Sequence, residues 1–569
     1  MYVLGINAAF HDSSAALLRD GVPVAAAEEE RFTRIKHGKR PVPFLSYQLP
    51  FHAIDYCLRA AGIEMRRVDH VAYSFDPTLC LGDADPEKIT LPLYPSAEPR
   101  ADGRHPWEPL FLAGILNAPR FLTDDVPHHL AALRHGMDRD AMPPFEFVEH
   151  HLAHAASTYY VSGFGDAAIL TIDGRGEQAT TLFARGSGPN IEKLGEVRLP
   201  HSLGILYETV TSYLGFLHSS DEYKVMALTS VRSDRYLRDF RSILSLDGLG
   251  YRVEAPDLEE RFGPARKPWE PLEERHFAVA FALQTTLEET VLELARGLHE
   301  RTGDTRLCMA GGVALNCVMN ARLRDEGPFD QIFVQPAAGD AGTALGAAYV
   351  VDARERGIAT PFTMKHAYLG PEYDEEEIEG VLSRARLAFE RPADIAEATA
   401  DLLARDRIVG WFQGRMEFGP RALGSRSIVA SPADSDMKDR LNAIKQREEF
   451  RPVAPAVLEE RAAEYFSPAR PDPFMLFVEN VRPEKAHLIP AVRHIDGTAR
   501  IQTVSVTESP LFHRLICAFE ARSRVPVVVN TSFNTRGEPI VCTPDDALAS
   551  YFTTSLDALA IGPFLLRKR

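Results

Sequence analysis

Eighty acidic and 63 basic side chains give this 569-residue chain a formal net charge of −17. Apolar residues at 45% and charged residues at 25% are globular values that exclude bulk disorder, and the length predicts two or three domains. The acidity disfavours non-specific nucleic-acid binding. The lack of an apolar run of about 18 residues argues against a transmembrane helix. Six scattered cysteines predict a cytoplasmic protein with reduced thiols.

Strand-like and helix-like segments alternate along the chain, which predicts an α/β fold. The first strand-like segment, residues 3–8, leads into polar residues 11–14 and a hairpin around Asp20-Gly21, without the features of a secretory signal. Further along, a strand at 167–172 leads into the polar run 173–177 and two more strands. This recurrence indicates an internal duplication, although two unrelated hairpins would leave the same pattern.

The middle of the chain adds an element typical of nucleotide-binding folds. A long helix is predicted over residues 273–301, closed by Gly303. A strand at 307–310 then meets Gly311-Gly312, and a helix pattern runs through Asn316. Actin-like and sugar-kinase-like ATPases combine two polar loops at strand ends with a strand, a glycine pair and a helix. The loops offer backbone N–H groups to phosphate, and the glycines let the main chain approach the nucleotide.

A second domain is predicted beyond an acid-rich join with prolines at residues 361–377. Before the join, a strand at 331–335 runs toward Asp340 and a helix of small residues. Beyond it the alternation restarts near Ile408. Three strand-like runs are predicted in the last part of the chain, at 501–506, 525–529 and 556–566.

Three histidines lie close together just before the second copy of the strand pattern. His150 and His154 are four residues apart, so on a helix both imidazoles lie on one face and can share a metal. Asp173 and Asp340, each after an apolar strand and beside a glycine, are candidate carboxylate ligands. Two His and two Asp suit Fe, Mn or Zn, whereas His151 points off this face. Surface or capping histidines are the alternative interpretation.

Cations and hydroxyl groups concentrate in the C-terminal part of the chain. Arg421 and Arg426 lie among glycines and serines, three cations lie within residues 445–451, and the polar run 530–534 follows an apolar strand. Cations and hydroxyls at strand ends form an anion site for phosphate or carboxylate. A solvated charge run is the alternative for residues 445–451, since two glutamates lie between the cations.

Several stretches match one known family: Phe10-His11-Asp12 with Ser14-Ala15-Ala16, Glu28-Glu29-Glu30-Arg31-Phe32-Thr33, residues 150–156, Gly311-Gly312-Val313-Ala314-Leu315-Asn316, and residues 418–427. On these stretches the chain resembles the NodU/CmcH-type O-carbamoyltransferases, which include antibiotic-tailoring enzymes such as the tobramycin carbamoyltransferase. Its N-terminal part is similar to threonylcarbamoyl-transfer proteins with an actin-like ATPase fold. Its C-terminal part is similar to YrdC proteins, whose Lys-x-Arg and Ser-x-Asn pattern is present as Lys445-x-Arg447 and Ser532-x-Asn534.

The resemblance implies two domains and two half-reactions. Residues 1–365 would form a duplicated actin-like ATPase fold with a metal site and an insertion at about 76–144, and residues 366–569 a YrdC-like α/β domain. The second domain would make carbamoyladenylate from carbamoyl phosphate and ATP with Mg²⁺. The first would pass the carbamoyl group to an alcohol and release AMP.

The resemblance also implies roles for individual residues. An iron(II)-like metal would be held by His150, His154, Asp173 and Asp340. Carbamoyl phosphate and ATP would react with the help of Lys445, Arg447 and Arg500. Substrate and nucleotide contacts are expected from Lys36, Asp221, Gly311, Gly312, Val313, Asn316, Arg421, Arg426, Ser532 and Asn534. His11 is the expected general base on the acceptor hydroxyl, with tying down the first loop as its alternative role. Glu222-Tyr223 departs from the family's glycine-rich sequence, which leaves the role of Asp221 open.

The expected acceptor is a hydroxyl of a small natural product, with no nucleic-acid or membrane partner and a homodimer left open. Modification of tRNA and a nucleotide-dependent switch are the alternatives. The acidity of the chain argues against tRNA modification. The anion site predicted in the C-terminal part argues against a switch, which would need no second anion site. In the insertion, Trp107 and residues 111–116 and 121–122 are predicted to form one wall of the acceptor pocket, favouring a bulky, partly apolar acceptor such as a macrolide sugar. Simple packing on the core is the other interpretation.

Overall fold

The computed structural model describes residues 1–38, 49–81, 108–123, 141–254, 257–358 and 360–568. The chain divides into two compact units, Met1–Met364 and Lys365–Arg569. Over the described residues, no helix combines the length and apolarity that a bilayer crossing requires. No disulfide joins the six cysteines.

The N-terminal unit opens with a five-stranded sheet in which β1 to β4 are largely buried and β5 is partly exposed. Its strands are β1 (Tyr2–Asn7), β2 (Ser14–Arg19), β3 (Val22–Glu28), β4 (His70–Tyr73) and β5 (Phe145–Phe147). Their order is β3-β2-β1-β4-β5, with β1, β2 and β3 antiparallel and with β4 and β5 parallel to β1. The helices of this part are α1 (Glu30–Thr33), α2 (Phe51–Ala61), α3 (Thr78–Leu81), α4 (Glu108–Leu116) and α5 (Ala118–Phe121).

A second five-stranded sheet repeats this order. Its strands are β6 (Asp166–Ile172), β7 (Ala179–Ser187), β8 (Asn190–Arg198), β11 (Arg306–Ala310) and β12 (Gln331–Val334), and the hairpin β9 (Leu244–Asp247) with β10 (Gly250–Val253) stands apart. The order β8-β7-β6-β11-β12 carries the same antiparallel and parallel pairs as the first sheet. The matching topology confirms the predicted duplicated actin-like fold and excludes two unrelated hairpins.

The helices of the second half include the predicted long helix. They are α6 (His150–Tyr159), α7 (Leu203–Tyr213), α8 (Glu222–Leu228), α9 (Leu237–Ile243), α10 (Leu258–Phe262), α11 (Glu274–Thr302), α12 (Cys317–Glu326) and α13 (Ala341–Arg356). Helix α11 ends at Gly303, whose φ of 69° is the left-handed conformation that glycine favours at a helix C-terminus.

Helix α6 follows the last strand of the first sheet and α13 follows the last strand of the second, and the backbones of the two helices approach each other closely. A Cβ on Gly346 of α13 would lie 1.7 Å from the carbonyl oxygen of Ala153 on α6. A Cβ on Gly5 of β1 would lie 1.8 Å from the carbonyl oxygen of Ala344. Glycine at position 346 therefore permits the close approach of α13 to α6, and glycine at position 5 permits that of β1 to α13.

The C-terminal unit is a mixed α/β layer, in agreement with the predicted YrdC-like class. Its strands are β13 (Val409–Phe412), β14 (Arg426–Ala430), β15 (Ala454–Leu458), β16 (Phe466–Ser467), β17 (Glu479–Val481), β18 (Thr498–Ala499), β19 (Gln502–Val504), β20 (Val527–Ser532), β21 (Ala558–Ile561) and β22 (Phe564–Arg567). Its helices are α14 (Glu375–Arg384), α15 (Ile395–Leu403), α16 (Met437–Ile444), α17 (Ala462–Tyr465), α18 (Pro510–Ser523) and α19 (Pro544–Thr553).

The main sheet of this unit runs β19-β15-β20-β14-β13-β21-β22, and β16, β17 and β18 form a smaller sheet. The run 556–566, predicted as one strand, is instead the hairpin of β21 and β22. Gly562, with a φ of 53°, turns the chain between them, and the antiparallel pairing buries both apolar halves of the run.

Candidate functional site

Four buried side chains meet where α6 and α13 begin. His150 and His154 lie one turn apart on α6, Asp173 follows β6, and Asp340 immediately precedes α13. Each Nε2 lies 3.5 Å from Asp173 Oδ2, and the Nε2 atoms of His150 and His154 lie 3.6 and 3.7 Å from Asp340 Oδ1. The structure thus brings together all four residues predicted as metal ligands.

The arrangement fits a divalent metal ion. Both nitrogens of His154 and both carboxylate oxygens of Asp340 are buried without a hydrogen-bond partner, a costly state that a coordinated cation would relieve. Ligand atoms held about 2.1 Å from a tetrahedral metal are separated by about 3.4 Å, close to the spacing found here. Two imidazoles and two carboxylates suit several divalent transition metals, so the donor set does not distinguish among them.

Neighbouring backbone groups orient two of these ligands. The Nδ1–H of His150 donates to the carbonyl oxygen of Ser74 at 3.1 Å, which leaves its Nε2 as the ligand atom. The backbone N–H of His150 donates to Glu177 Oε1 at 2.9 Å. The backbone N–H of Gly312 donates to Asp173 Oδ1 at 2.9 Å, so that Oδ2 faces the imidazoles. Ser74 belongs to no sequence motif, and Glu177 is the last residue of the polar run 173–177, where no pattern marked it as a partner of His150.

The charges of the cluster are strongly coupled. Burial by itself raises the pKa of Asp173, but the neighbouring His150 and His154 hold it well below its ordinary value. Burial also opposes the charge of Asp340, yet His11 lowers its pKa to about 2. Burial lowers the pKa of His11, but Asp340 and Asp12 raise it to about 10. The two carboxylates therefore stabilise positive charge placed beside them, which is the property that a bound cation would use.

The third histidine of the group lies outside the cluster, as its position on the helix predicts. The Nδ1 atom of His151 is 2.7 Å from Thr171 Oγ1, and the side chain is buried. Burial, together with His150 and His154, lowers its pKa well below the ordinary value. His151 is thus a neutral, hydrogen-bonded part of the core.

The glycine pair adjoins the metal-ligand cluster. Gly311 has a φ of 92°, and a Cβ there would lie 2.2 Å from the carbonyl oxygen of Ile172, so only glycine fits. A short 3-10 turn, Gly312–Leu315, follows and includes the partly exposed Val313. The helix predicted to run through Asn316 begins only at Cys317. Asn316 caps it by accepting from the N–H of Met319, which occupies the side chain expected to contact nucleotide.

His11 extends the cluster toward the surface. Its Nε2 lies 3.8 Å from Asp340 Oδ2, and its Nδ1 donates to Asp12 Oδ2 at 2.9 Å. The other oxygen of Asp12 accepts from Nδ1 of His37 at 2.9 Å, and Nε2 of His37 lies 2.9 Å from Ser220 Oγ. Asp12 stood within a recognised stretch, but no sequence signal linked it to His37 or Ser220.

The two remaining N-terminal candidates lie beside this group. Lys36 is partly exposed and precedes His37 in the chain. Asp221 immediately precedes α8, pairs with Lys224 at 3.0 Å and accepts from the backbone N–H of Leu217 at 3.2 Å. These local contacts give Asp221 a role in shaping its own loop, whatever it binds.

The C-terminal unit brings together the residues of the predicted anion site. Nζ of Lys445, at the end of α16, donates to Ser532 Oγ at 3.0 Å, to Asn534 Oδ1 at 2.7 Å and to the carbonyl oxygen of Ser532. Arg447 instead donates to Asn442 Oδ1 at 2.6 Å, and Arg500 is partly buried, with no hydrogen-bond partner for its Nε. The Lys and the Ser-x-Asn segment therefore meet directly.

The two arginines of the glycine-rich loop differ in environment. Arg421 is partly exposed in the loop between β13 and β14. Arg426 is fully buried, donates to the carbonyl oxygens of Gln413, Gly414 and Pro371, and lies 3.7 Å from the ring centre of Phe412. Because both terminal nitrogens of its guanidinium donate to backbone carbonyls, Arg426 holds the loop together, and its expected role as a substrate contact stays a prediction.

The apolar side chains of helix α4 in the insertion pack against the core. Phe111 is only 6% exposed, stacks on Phe10 at 5.3 Å and meets Phe75 edge-on at 5.4 Å; Leu112 and Ile115 are buried too. These side chains fill the core beside β1 and β4 because burial removes their apolar area from water. This burial favours the other interpretation, simple packing on the core, and the wall of an acceptor pocket stays a prediction. Trp107 and much of residues 76–144 lie outside the described part of the chain.

Comparisons with known proteins agree along nearly the whole chain. Residues 2–349 match the family model described as carbamoyltransferase N-terminus, and residues 400–568 match the one described as carbamoyltransferase C-terminus. An uncharacterized Synechocystis protein is 40% identical over all of this chain and 97% of its own length. Nodulation protein NolNO of Sinorhizobium fredii is 40% identical over 99% of this chain and 80% of its own length.

Among solved structures, the activator of the 2-hydroxyisocaproyl-CoA dehydratase from Clostridium difficile aligns with 63% of this chain and 97% of its own. Its sequence identity is 14% and its TM-score 0.33.

Proposed function

The chain belongs to the carbamoyltransferase family, and on that basis we propose that it is an ATP-dependent O-carbamoyltransferase that acts on a hydroxyl of a small natural product. The observation that carries the proposal is the convergence of His150, His154, Asp173 and Asp340, with His11 beside them. Such a site can hold an activated carbonyl next to a base, and the second unit offers a separate anion site.

The first half-reaction is assigned to the C-terminal unit. Carbamoyl phosphate loses its phosphate to water, and the resulting carbamate oxygen attacks the α-phosphorus of ATP, giving carbamoyladenylate and pyrophosphate. Negative charge accumulates on phosphate oxygens during this attack. Lys445, with Arg447 and Arg500 in the same unit, supplies the cations that stabilise this charge. Ser532 and Asn534 position the Lys445 ammonium through their hydrogen bonds.

The second half-reaction is assigned to the N-terminal unit. The acceptor oxygen attacks the carbamoyl carbon, the bond to the phosphate oxygen breaks, and AMP leaves. Nε2 of His11 takes the acceptor proton, since its Nδ1–H is already donated to Asp12. The glycine pair lets the main chain approach the nucleotide closely.

The four ligands would hold a divalent metal, for which we propose Fe²⁺, and such an ion supplies Lewis-acid polarisation and charge neutralisation when bound. Because its charge offsets Asp173 and Asp340, it opposes the rise in the pKa of His11 and so favours the neutral base. The net charge of −17 supports a small acceptor over tRNA, whose phosphates need clustered cations.

The proposal is tested with purified protein, ATP, Mg²⁺ and ¹³C-labelled carbamoyl phosphate, with and without a panel of hydroxylated probes that includes erythromycin and tobramycin. We expect pyrophosphate release without a probe, and a mass gain of one carbamoyl group on a probe together with AMP. Absence of both pyrophosphate and AMP would refute the proposed function. His11→Asn should keep pyrophosphate release and lose transfer.

A further inference from the structure

Asp12 occupies an unusual position between two imidazole rings. Its Oδ2 accepts from Nδ1 of His11 and its Oδ1 accepts from Nδ1 of His37, both at 2.9 Å. About a third of each of the three side chains is exposed, so the group lies at the edge of the N-terminal site. One carboxylate therefore receives two N–H donors, one on each oxygen.

This contact fixes which nitrogen of each ring carries the proton. A carboxylate accepts and does not donate, so the Nδ1 atoms of His11 and His37 must both be protonated. In the neutral rings, both Nε2 atoms are then acceptors. Nε2 of His37 receives the hydroxyl proton of Ser220 at 2.9 Å, while Nε2 of His11 is directed toward the metal-ligand cluster.

The backbone around Asp12 is built to hold this geometry. Asp12 has a φ of 50°, in the left-handed region that Asp and Asn tolerate better than most residues. Nδ2 of Asn7 donates to the carbonyl oxygens of His11 and Asp12, each at 3.1 Å. The N–H of Asp12 donates to the carbonyl oxygen of His37, and the N–H of His37 donates to Glu30 Oε2 at 2.6 Å. The loops that carry Asp12 and His37 are thus held by backbone contacts that do not involve the imidazole rings of His11 and His37.

We propose that Asp12 is the positioning residue of the transfer step: it holds His11 in the tautomer and orientation in which Nε2 takes the acceptor proton, and His37 with Ser220 holds Asp12 in place. The inference rests on the proposed function, because it needs His11 as the base. During transfer the proton moves from the acceptor oxygen to Nε2 of His11, the oxygen bonds to the carbamoyl carbon, and AMP leaves with the bonding electrons. The Nδ1 proton stays on His11 and strengthens its contact with Asp12 as the ring becomes charged.

The test compares wild type with Asp12→Asn, which keeps the side-chain shape and tolerates a positive φ. The amide has one oxygen and one NH₂ group, so it can accept from only one of the two rings and forces the other into the wrong tautomer. The probe is the hydroxylated compound that wild type carbamoylates fastest, or water, read as AMP release without acceptor, if none reacts. We expect kcat for transfer to fall about 10²–10⁴-fold, with the probe KM within twofold and pyrophosphate release unchanged.

Asp20→Asn is the matched control. Asp20 also has a positive φ, 52°, but it is exposed and pairs with the N-terminal ammonium, so its variant should keep the wild-type kcat. The double variant His11→Asn with Asp12→Asn adds a readout that a merely structural role would not give. If Asp12 acts through His11, the double variant is no slower than His11→Asn alone; further loss in the double variant would overturn the inference.

The two levels of failure are separable. Wild type that releases neither pyrophosphate nor AMP refutes the proposed function, and the inference falls with it. Wild type that turns over, beside an Asp12→Asn variant with more than half of its kcat, overturns the inference alone and leaves the proposed function standing. Metal content equal to wild type in Asp12→Asn excludes loss of the neighbouring ligands as the cause of a lower kcat.

Discussion

The backbone N–H of Gly312 donates to Oδ1 of Asp173 at 2.9 Å, across the neighbouring parallel strands β11 and β6. This bond links the glycine turn, expected to lie against the nucleotide, to a ligand of the metal-ligand cluster. The turn exists because Gly311 adopts a φ of 92° with its Cα against the carbonyl of Ile172. Backbone geometry at one residue therefore controls the orientation of a carboxylate more than 130 residues earlier in the chain.

Replacing Gly311 with alanine tests this link. The added Cβ would lie 2.2 Å from the Ile172 oxygen at a φ that alanine avoids, so we expect the variant to lose about 2 kcal/mol or more of stability and most of its bound metal. Gly303→Ala is the control: its φ is also positive, at 69°, but no atom lies within 4 Å of the new Cβ. It should lose about 1 kcal/mol and keep its metal, as measured by urea unfolding and elemental analysis. Equal metal loss in both variants would contradict the link.

Metal binding distinguishes two adjacent buried histidines. His154→Ala should reduce the metal content of the purified protein from about one ion per chain to near zero, since it removes a ligand from a set of four. His151→Asn should retain the ion, because His151 contacts Thr171 and not the cluster. For wild type, a chelator should lower the midpoint of thermal unfolding, since an ion present at about 100 times its Kd stabilises the fold by about 2.7 kcal/mol. A wild-type protein without metal after growth with added iron, manganese and zinc would argue against the site.

Lys445 is expected to act only in the first half-reaction. Lys445→Ala should lower pyrophosphate release from ATP and carbamoyl phosphate about 10²–10³-fold, because it removes a cation that would stabilise the charge on phosphate oxygens and that Ser532 and Asn534 position. Its metal content should stay at the wild-type level. Lys438→Ala, which replaces a partly exposed lysine on the same helix, should release pyrophosphate normally. Normal release by Lys445→Ala would remove it from the chemistry.

Phe111 is expected to contribute to stability and not to acceptor specificity. Phe111→Ala removes a ring that is packed against Phe10 and Phe75 and should cost about 3–5 kcal/mol in urea unfolding. Leu79→Ala, at a position 42% exposed, should stay within about 0.5 kcal/mol of wild type. A stable Phe111→Ala protein with a selectively raised KM for the acceptor would instead favour a wall of the acceptor pocket.

Acid should weaken the C-terminal unit partly through His494. Burial lowers the pKa of His494 from 6.5 to about 4. The neighbouring Asp496 raises this pKa and Arg500 lowers it, but burial has the largest effect. The unfolded chain therefore binds this proton at a higher pH than the folded one, so the contribution to stability is complete above pH 6.5 and is lost as the pH falls toward 4. In His494→Gln, the midpoint of thermal unfolding should fall less steeply between pH 6.5 and 4.5 than in wild type. The difference in slope should correspond to about one fewer proton taken up on unfolding. Parallel curves for wild type and variant would contradict the assignment.

Sequence patterns were sufficient for the fold class and for much of the metal-ligand cluster. Apolar runs ending in polar loops recur in both halves, so the duplication was predictable, whereas the strand order within each sheet came from the structure. His150 and His154 could be paired because helix periodicity places residues four apart on one face. The long helix α11 and its terminal Gly303 were predictable for the same local reason.

Tertiary structure alone showed which hydrogen-bond partners the polar candidate residues have. Arg426 and Asn316 have the composition of ligand-binding residues, but their partners, the carbonyls of the glycine-rich loop and the N–H of Met319, became visible only in the fold. Asp12, His37 and Ser220 lie far apart in the chain and meet through loop packing, which no local pattern encodes. The amphipathic insertion likewise proved to be core at Phe111. Periodicity reports which face of an element is apolar, whereas hydrogen-bond satisfaction and close packing depend on neighbours that only the folded chain supplies.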